Sequence, residues 1–247
     1  MIKDIKIAVL IDGDNIPSKY ITEMMEEIAK YGTPTIKRIY GDWTKPHLAK
    51  WKTVLLENAI SPIQQYSYTT GKNATDSAMI IDAMDILYSN KVDAFCLASS
   101  DSDFTKLATR LREAGLQVYG IGEKKTPDPF IVACDKFIYL EILNTFSEKQ
   151  EQGGGKVKKD NLYNITPKVI SMLKNSVSDA ADDDGWAFLG DVGSLILKKQ
   201  PNFDARNFGF EKLTPLFKSL DNFEMEQRDQ SNGRFKLIYV RNKQAKR

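Results

Sequence analysis

Residues 5–15 read IKIAVLIDGDN and residues 93–104 read DAFCLASSDSDF, two apolar runs that each stop abruptly in aspartates. A continuous apolar run without polar alternation marks a strand buried on both faces, as in a parallel sheet. Similar runs recur at 34–40, 61–68, 116–122 and 136–140, separated by stretches of helical periodicity at about 17–30, 46–58, 74–89, 103–114 and 128–134. Pro17 and Pro129 stand where helices begin, a position that tolerates a missing amide hydrogen. The alternation predicts an α/β fold, a parallel sheet with helices on both faces.

The pattern stops near residue 146. Residues 147–160, SEKQEQGGGKVKKD, place three glycines among charges without an apolar period and read as a flexible linker. Beyond it come helical patterns at about 165–176, 187–199 and 209–219. FEMEQRD and RFKLIYV then alternate around QSNG as a β-hairpin. Three helices and a hairpin outline a small winged-helix-like domain. The expected organisation is therefore an α/β domain over 1–146, a linker over 147–160 and the small domain over 161–247.

Charge separates the two parts. Residues 1–155 carry 18 Lys and Arg against 21 Asp and Glu, whereas residues 156–247 carry 17 against 12. A basic module attached to an acidic one suits a nucleic-acid enzyme, one part attracting phosphate and the other holding cations. No apolar run reaches the roughly 20 residues of a membrane span, and no signal-peptide pattern opens the chain, so a cytoplasmic protein is expected. Cys96 and Cys134 lie in apolar surroundings with no CxxC spacing, which argues against a disulfide framework or zinc site. The single histidine, His47, sits in a polar stretch. Imidazole-based chemistry is disfavoured, and catalysis has to rest on carboxylates.

Open parallel sheets bind ligands at the carboxyl ends of their strands, where strand order reverses. In a 3-2-1-4-5 order the first and fourth strands are neighbours at that point, so Asp12 and Asp14 should meet Asp101 and Asp103. Helical geometry adds a third contributor. In ATDSAMIIDAMDILY, positions 76, 80, 83 and 87 form one stripe that is apolar except for Asp76, which should point toward the sheet. Asp85 reads as solvated and Asp82 lies between these extremes.

Converging carboxylates repel one another, and either take up protons or bind a cation. An all-oxygen donor set suits Mg²⁺ or Mn²⁺, which can activate water for attack on a phosphodiester. Individually, Asp101 or Asp103 also fits a helix N-cap, Asp12 and Asp14 an Asx turn, and Asp76 a cap with Thr75. Lys72 is a candidate phosphate contact and Asn15 a candidate for orienting water or ligand. Trp43, Tyr66 and Tyr68 are candidates for base stacking or for burial in the core.

These residues resemble the NYN family of PIN-like nucleases: IDGDN ends the first strand, Lys72 to Asp76 forms K-x-x-x-D with a further acid at Asp82, and SSDSDF follows. The order and spacing are similar over about residues 5–141. The resemblance implies a PIN-like Rossmannoid fold and divalent-metal-dependent cleavage of single-stranded or structured RNA, with Asp12, Asp76, Asp101 and Asp103 as catalytic and metal-binding acids. Asp12 and Asp101 are expected as direct ligands, and Asp82 and Asn15 are secondary.

The second part resembles the OST-HTH, or LOTUS, module over 184–220 and the hairpin that follows. Its spacing runs from Gly185-Trp186 through Leu189 and Gly193 to Pro201, Phe203 and Phe208-Gly209. That resemblance implies RNA binding and, in some proteins, helicase partners. Trp186, Phe188, Phe203, Phe208 and Phe210 read as its core. Lys198, Lys199, Arg206, Lys212, Lys218, Arg228, Arg234 and Lys236 remain as candidate phosphate contacts or a solvated surface.

Two alternatives stand beside the ribonuclease. Asp12-Gly13-Asp14 after a first strand is similar to the start of haloacid-dehalogenase-like phosphatases, although position 16 is Ile where that family has Thr or Val. A non-catalytic RNA-binding adaptor would keep the acidic pocket without turnover.

Overall fold

The computed structural model describes residues 4–66, 74–143, 163–229 and 236–243. The chain divides into two compact units, Met1–Gly155 and Lys156–Arg247. The expected linker, 147–160, lies outside the described residues.

In the first unit the strands are β1 (Lys6–Asp12), β2 (Thr33–Gly41), β3 (Ser61–Gln64), β4 (Ala94–Ala98), β5 (Gln117–Gly122) and β6 (Lys136–Tyr139). They form one sheet in the order β3-β2-β1-β4-β5-β6. Every pairing is parallel. Helices α1 (Ile21–Ala29), α2 (Trp51–Glu57), α3 (Ala74–Tyr88), α4 (Thr105–Glu113) and α5 (Asp128–Ala133) connect them.

The order in which strands are added to the sheet reverses between β1 and β4. Right-handed crossovers then place α1 and α2 on one face and α3, α4 and α5 on the other. Consecutive residues Ile7–Asp12 of β1 and all of β4 are buried, as strands covered on both sides must be. Phe104, Phe130, Phe137 and Tyr139 continue this core in edge-to-face and tilted ring contacts under β5 and β6.

The third strand is shorter than its apolar pattern predicts. Gln64 pairs with Gly41, the last residue of β2, so the ladder ends where β2 turns into the Asp42 loop. Tyr66 follows as exposed chain, and Tyr68 lies outside the described residues.

The second unit contains α6 (Pro167–Ala180), β7 (Ala187–Phe188), α7 (Leu189–Lys199), α8 (Leu213–Lys218), β8 (Phe223–Asp229) and β9 (Lys236–Asn242). Its antiparallel sheet has the order β7-β9-β8. Thr166 caps α6 through its side chain, which accepts the Val169 amide. The helix expected from residue 187 begins at Leu189, because Ala187 and Phe188 pair with Val240 and Tyr239 of β9. The helix expected over 209–219 is confined to α8. Before it, Ala205–Phe208 form a 3-10 turn capped by Asp204 and ended by Gly209 at φ +81, a left-handed conformation suited to glycine.

Leu173, Val177, Val192, Ile196, Phe203, Phe208, Leu216, Phe217 and Val240 form the core of this unit, with Phe210 packed against it. Trp186 and Phe188 stand outside this core. The guanidinium groups of Arg228 and Arg241 lie 5.3 and 4.7 Å from the centre of Trp186, so cation–π contact takes the place of apolar burial there.

Candidate metal centre

Asp12 ends β1, and its neighbour Ile11 pairs with Ala98 at the end of β4. This register brings Asp12 beside Ser99. Gly13 donates to the Tyr40 carbonyl at 2.9 Å, and a Cβ on Gly13 would stand 2.8 Å from that oxygen, so the turn after β1 is tight enough to require glycine.

The Asp12 carboxylate is 1% exposed. One oxygen accepts the Asn15 side-chain amide at 2.5 Å and the Ser99 hydroxyl at 2.8 Å, while the other accepts the Asp14 amide at 3.1 Å. Burial pushes its pKa up, and these three hydrogen bonds oppose that shift while the charge of Asp14 adds to it. Asn15, expected near water or ligand, is thus spent on holding Asp12.

Ser99 also accepts the Asp101 amide at 3.1 Å, and an Asp101 oxygen accepts the Asp103 amide at 2.9 Å. Asp101 is therefore the N-cap of the 3-10 turn Ser102–Phe104 that leads into α4. The cap and the acidic cluster coexist, because capping occupies one carboxylate oxygen and leaves the other.

Asp76 lies in the first turn of α3. Among the described residues, Asp76, Asp101 and Asp103 form a group with one carboxylate oxygen from each within 4.8 Å of the others. Burial, followed by the charges of Asp12, Asp101, Asp103 and Asp14, pushes the Asp76 carboxyl up to about 6. Thr75, buried at the start of the same helix, donates to Asp14 at 3.3 Å. Asp12, expected with Asp101 as a direct ligand, stands outside the converging triple while its charge reaches Asp76.

Hard oxygen donors gathered at this spacing, Asp76 among them with its carboxyl pushed up by burial and then by its acidic neighbours, fit a divalent cation such as Mg²⁺ or Mn²⁺. Asp82 is not in this group. Arg38 and the Tyr40 hydroxyl both bond its carboxylate, fastening α3 to β2. Burial, and then Asp82, hold the Tyr40 phenol above its ordinary range. Lys72 and the side chain of His47 lie outside the described residues. Sequence reasoning does not single out Ser99 or Thr75 as site residues. The serine directly after an apolar strand, two positions before Asp101, is the only signal that marks either one.

In the second unit, three of the expected phosphate contacts are engaged, Arg228 among them, which lies over Trp186 and Tyr239 and pairs with Asp184 and Glu226 at 3.6 Å. Arg206 forms a fork with Asp204 at 2.8 and 3.0 Å and keeps 14% side-chain exposure. Lys199 pairs with Asp179 at 2.5 Å. Lys198, Lys212, Lys218 and Lys236 are exposed, and Arg234 lies outside the described residues.

The NYN domain model matches residues 6–141, and the OST-HTH/LOTUS domain model matches residues 161–235. No curated protein matches the chain. Among solved structures, an uncharacterized protein from Nitrosomonas europaea is 29% identical with a TM-score of 0.33, the match covering 40% of this chain and 93% of that one. A protein of unknown function from Vibrio parahaemolyticus is 19% identical with a TM-score of 0.48, over 56% and 93% of the two chains. A protein from Chromobacterium violaceum is 28% identical with a TM-score of 0.27, over 31% and 82%. By the match that spans most of its first unit and more than half of its length, the chain belongs to the NYN-domain family, with an OST-HTH/LOTUS domain as its second unit.

Proposed function

We propose that this protein is a divalent-metal-dependent ribonuclease whose Asp76, Asp101 and Asp103 hold Mg²⁺ or Mn²⁺, with RNA engaged by the OST-HTH unit. The pairing of an NYN domain with an OST-HTH/LOTUS domain supports a ribonuclease-type, RNA-binding role. The observation that carries the finer reading is the convergence of three carboxylate oxygens within 4.8 Å at the carboxyl end of the sheet.

An ion bound there supplies a water of lowered pKa and neutralises charge on a phosphodiester. The chain provides the rest. Asp76, raised to about 6, is largely ionised at neutral pH and is available as a ligand. Asp12 adds negative charge from behind and, through Ser99, fixes the Asp101 amide. Asp12 is poorly placed as a phosphatase nucleophile, since it is 1% exposed and one of its oxygens already accepts two hydrogen bonds. The two buried free cysteines suit the reducing cytoplasm, which completes the proposal.

The test is cleavage of end-labelled RNA by the full chain in Mn²⁺ or Mg²⁺, beside Asp101→Asn and Asp103→Asn. Removing a charge that stabilises the transition state predicts a fall of about 100-fold or more in each variant. Equal cleavage by wild type and both variants would sink the assignment. Tight RNA binding without cleavage in any divalent metal would instead favour an RNA-binding adaptor.

A further inference from the structure

We propose that Trp43 is a stacking platform for an unpaired nucleobase of the RNA strand that reaches the acidic triple, an inference that rests on the ribonuclease reading above. Trp43 follows β2 at the same end of the sheet as Asp12 and Asp101. Tyr40 is the register partner of Asp12 and stands three residues before it.

The loop is built to hold this ring. Asp42, 7% exposed, accepts the Thr44 amide, the Thr44 hydroxyl and the Gln64 side-chain amide on one oxygen. Trp43 donates its backbone N–H to Gln64 Oε1 and its indole N–H to the Ile63 carbonyl, both at 3.0 Å. Its two hydrogen-bond donors are thus satisfied by β3, while the residue as a whole stays partly exposed. What is left for recognition is the π face. A ring already fixed loses little rotamer freedom when a base stacks on it.

The neighbouring rim has the same character. Tyr66, 54% exposed, follows β3. Past β5 and β6, the opposite half of the rim carries Glu123 and Glu141 beside Lys124 and Lys125, with Lys125 paired to Glu123, so charge there is balanced. With Trp43 after β2 and Tyr66 after β3, the aromatic path for RNA leads from the acidic triple across β2 toward β3. Two strand spacings are about 10 Å, a distance that a few nucleotides span. Aromatic stacking accepts any base but needs its face free, so the substrate class is single-stranded RNA with little sequence preference at this position.

The experiment uses the full chain carrying Asp101→Asn to silence cleavage, with Trp43→Phe or Trp43→Leu added. Binding of short oligouridine and oligoadenosine is compared with binding of a blunt RNA duplex. Stacking predicts that Trp43→Phe keeps most of the single-strand affinity and that Trp43→Leu loses about 5- to 100-fold. Duplex binding stays unchanged in both. A 5-iodouridine oligonucleotide should also photocross-link to the peptide containing Trp43. Equal single-strand binding by the Phe and Leu variants, with no cross-link at Trp43, would overturn the proposal. The nuclease reading has its own readout, Asp101-dependent cleavage by the otherwise unaltered chain, and fails separately if that is absent.

Discussion

The Ser99 hydroxyl donates to the buried Asp12 carboxylate at 2.8 Å and accepts the Asp101 amide at 3.1 Å, so one small side chain couples the ends of two adjacent strands. Removing it leaves Asp12 buried with one donor fewer. Ser99→Ala should lower stability by about 1 to 3 kcal/mol, seen as a lower urea midpoint with an unchanged slope. The Asp12 pKa rises further, so the acid limb of the cleavage profile moves to higher pH. A variant with wild-type midpoint and profile would show that the hydroxyl bears no such load.

Asp82 separates two roles that the sequence leaves joined. Its carboxylate is tied to Arg38 and Tyr40, and Tyr40 has no exposed surface to offer its hydroxyl another partner. Asp82→Ala should cost about 2 to 3 kcal/mol of stability while kcat in Mn²⁺ at low temperature stays within about two-fold of wild type. That rate equivalence corresponds to less than about 0.5 kcal/mol. A loss of turnover as deep as that of Asp101→Asn, in protein shown by circular dichroism to be folded, would return Asp82 to the catalytic set.

How far the site could be read in advance follows from which interactions are local. The juxtaposition of Asp12 with Asp101 is legible because the 3-2-1-4-5 order expected of the strand and helix alternation sets the first and fourth strands side by side. Helical spacing brings Asp76 to the edge of the covered face of α3, beside buried Thr75, Met79 and Ala83, so its inward side is legible while its partial exposure is not. The Asp82 ion pair is not, since Arg38 is 44 residues away and meets it only after α3 packs on β2. Arg206 misleads for the opposite reason. A basic residue near the start of a helical pattern reads as solvent-facing, yet its guanidinium folds back onto the carboxylate that caps its own turn. The strand β7 is too short for any period to show, and its existence depends on β9.

The second unit therefore has two classes of basic residue. Lys198→Glu and Lys212→Glu reverse exposed charges and should weaken RNA binding while leaving the fold intact. Every lysine–phosphate pairing abolished in this way should lower the slope of log affinity against log salt by about 1. Arg206→Ala should instead destabilise the unit by about 2 to 3 kcal/mol, because Asp204 loses its fork. Titrations over a salt series, alongside thermal melts, distinguish the classes. An Arg206→Ala variant that melts like wild type but binds RNA less tightly would place Arg206 among the RNA-binding residues.

Asp76 gives the pH dependence of the metal-free protein. Its carboxyl rises from 3.8 to about 6 in the folded chain, through burial first and then through Asp12, Asp101, Asp103 and Asp14. A raised folded-state pKa means that the folded protein binds this proton more tightly than the unfolded chain does. The associated stability is complete below about 4 and is lost as pH rises through about 6. Partial exposure screens the effect, leaving about 1 kcal/mol at neutral pH. Asp76→Asn removes the ionisable group. Its melting temperature in EDTA should therefore exceed that of wild type by about 2 to 4 °C at pH 7.5, with the difference shrinking toward pH 4. Added Mn²⁺ should reverse the order, because the ion stabilises the folded wild type by mass action and the variant has lost a ligand. If the variant melts below wild type in EDTA at pH 7.5, the repulsion assigned to the four neighbouring aspartates does not act on Asp76.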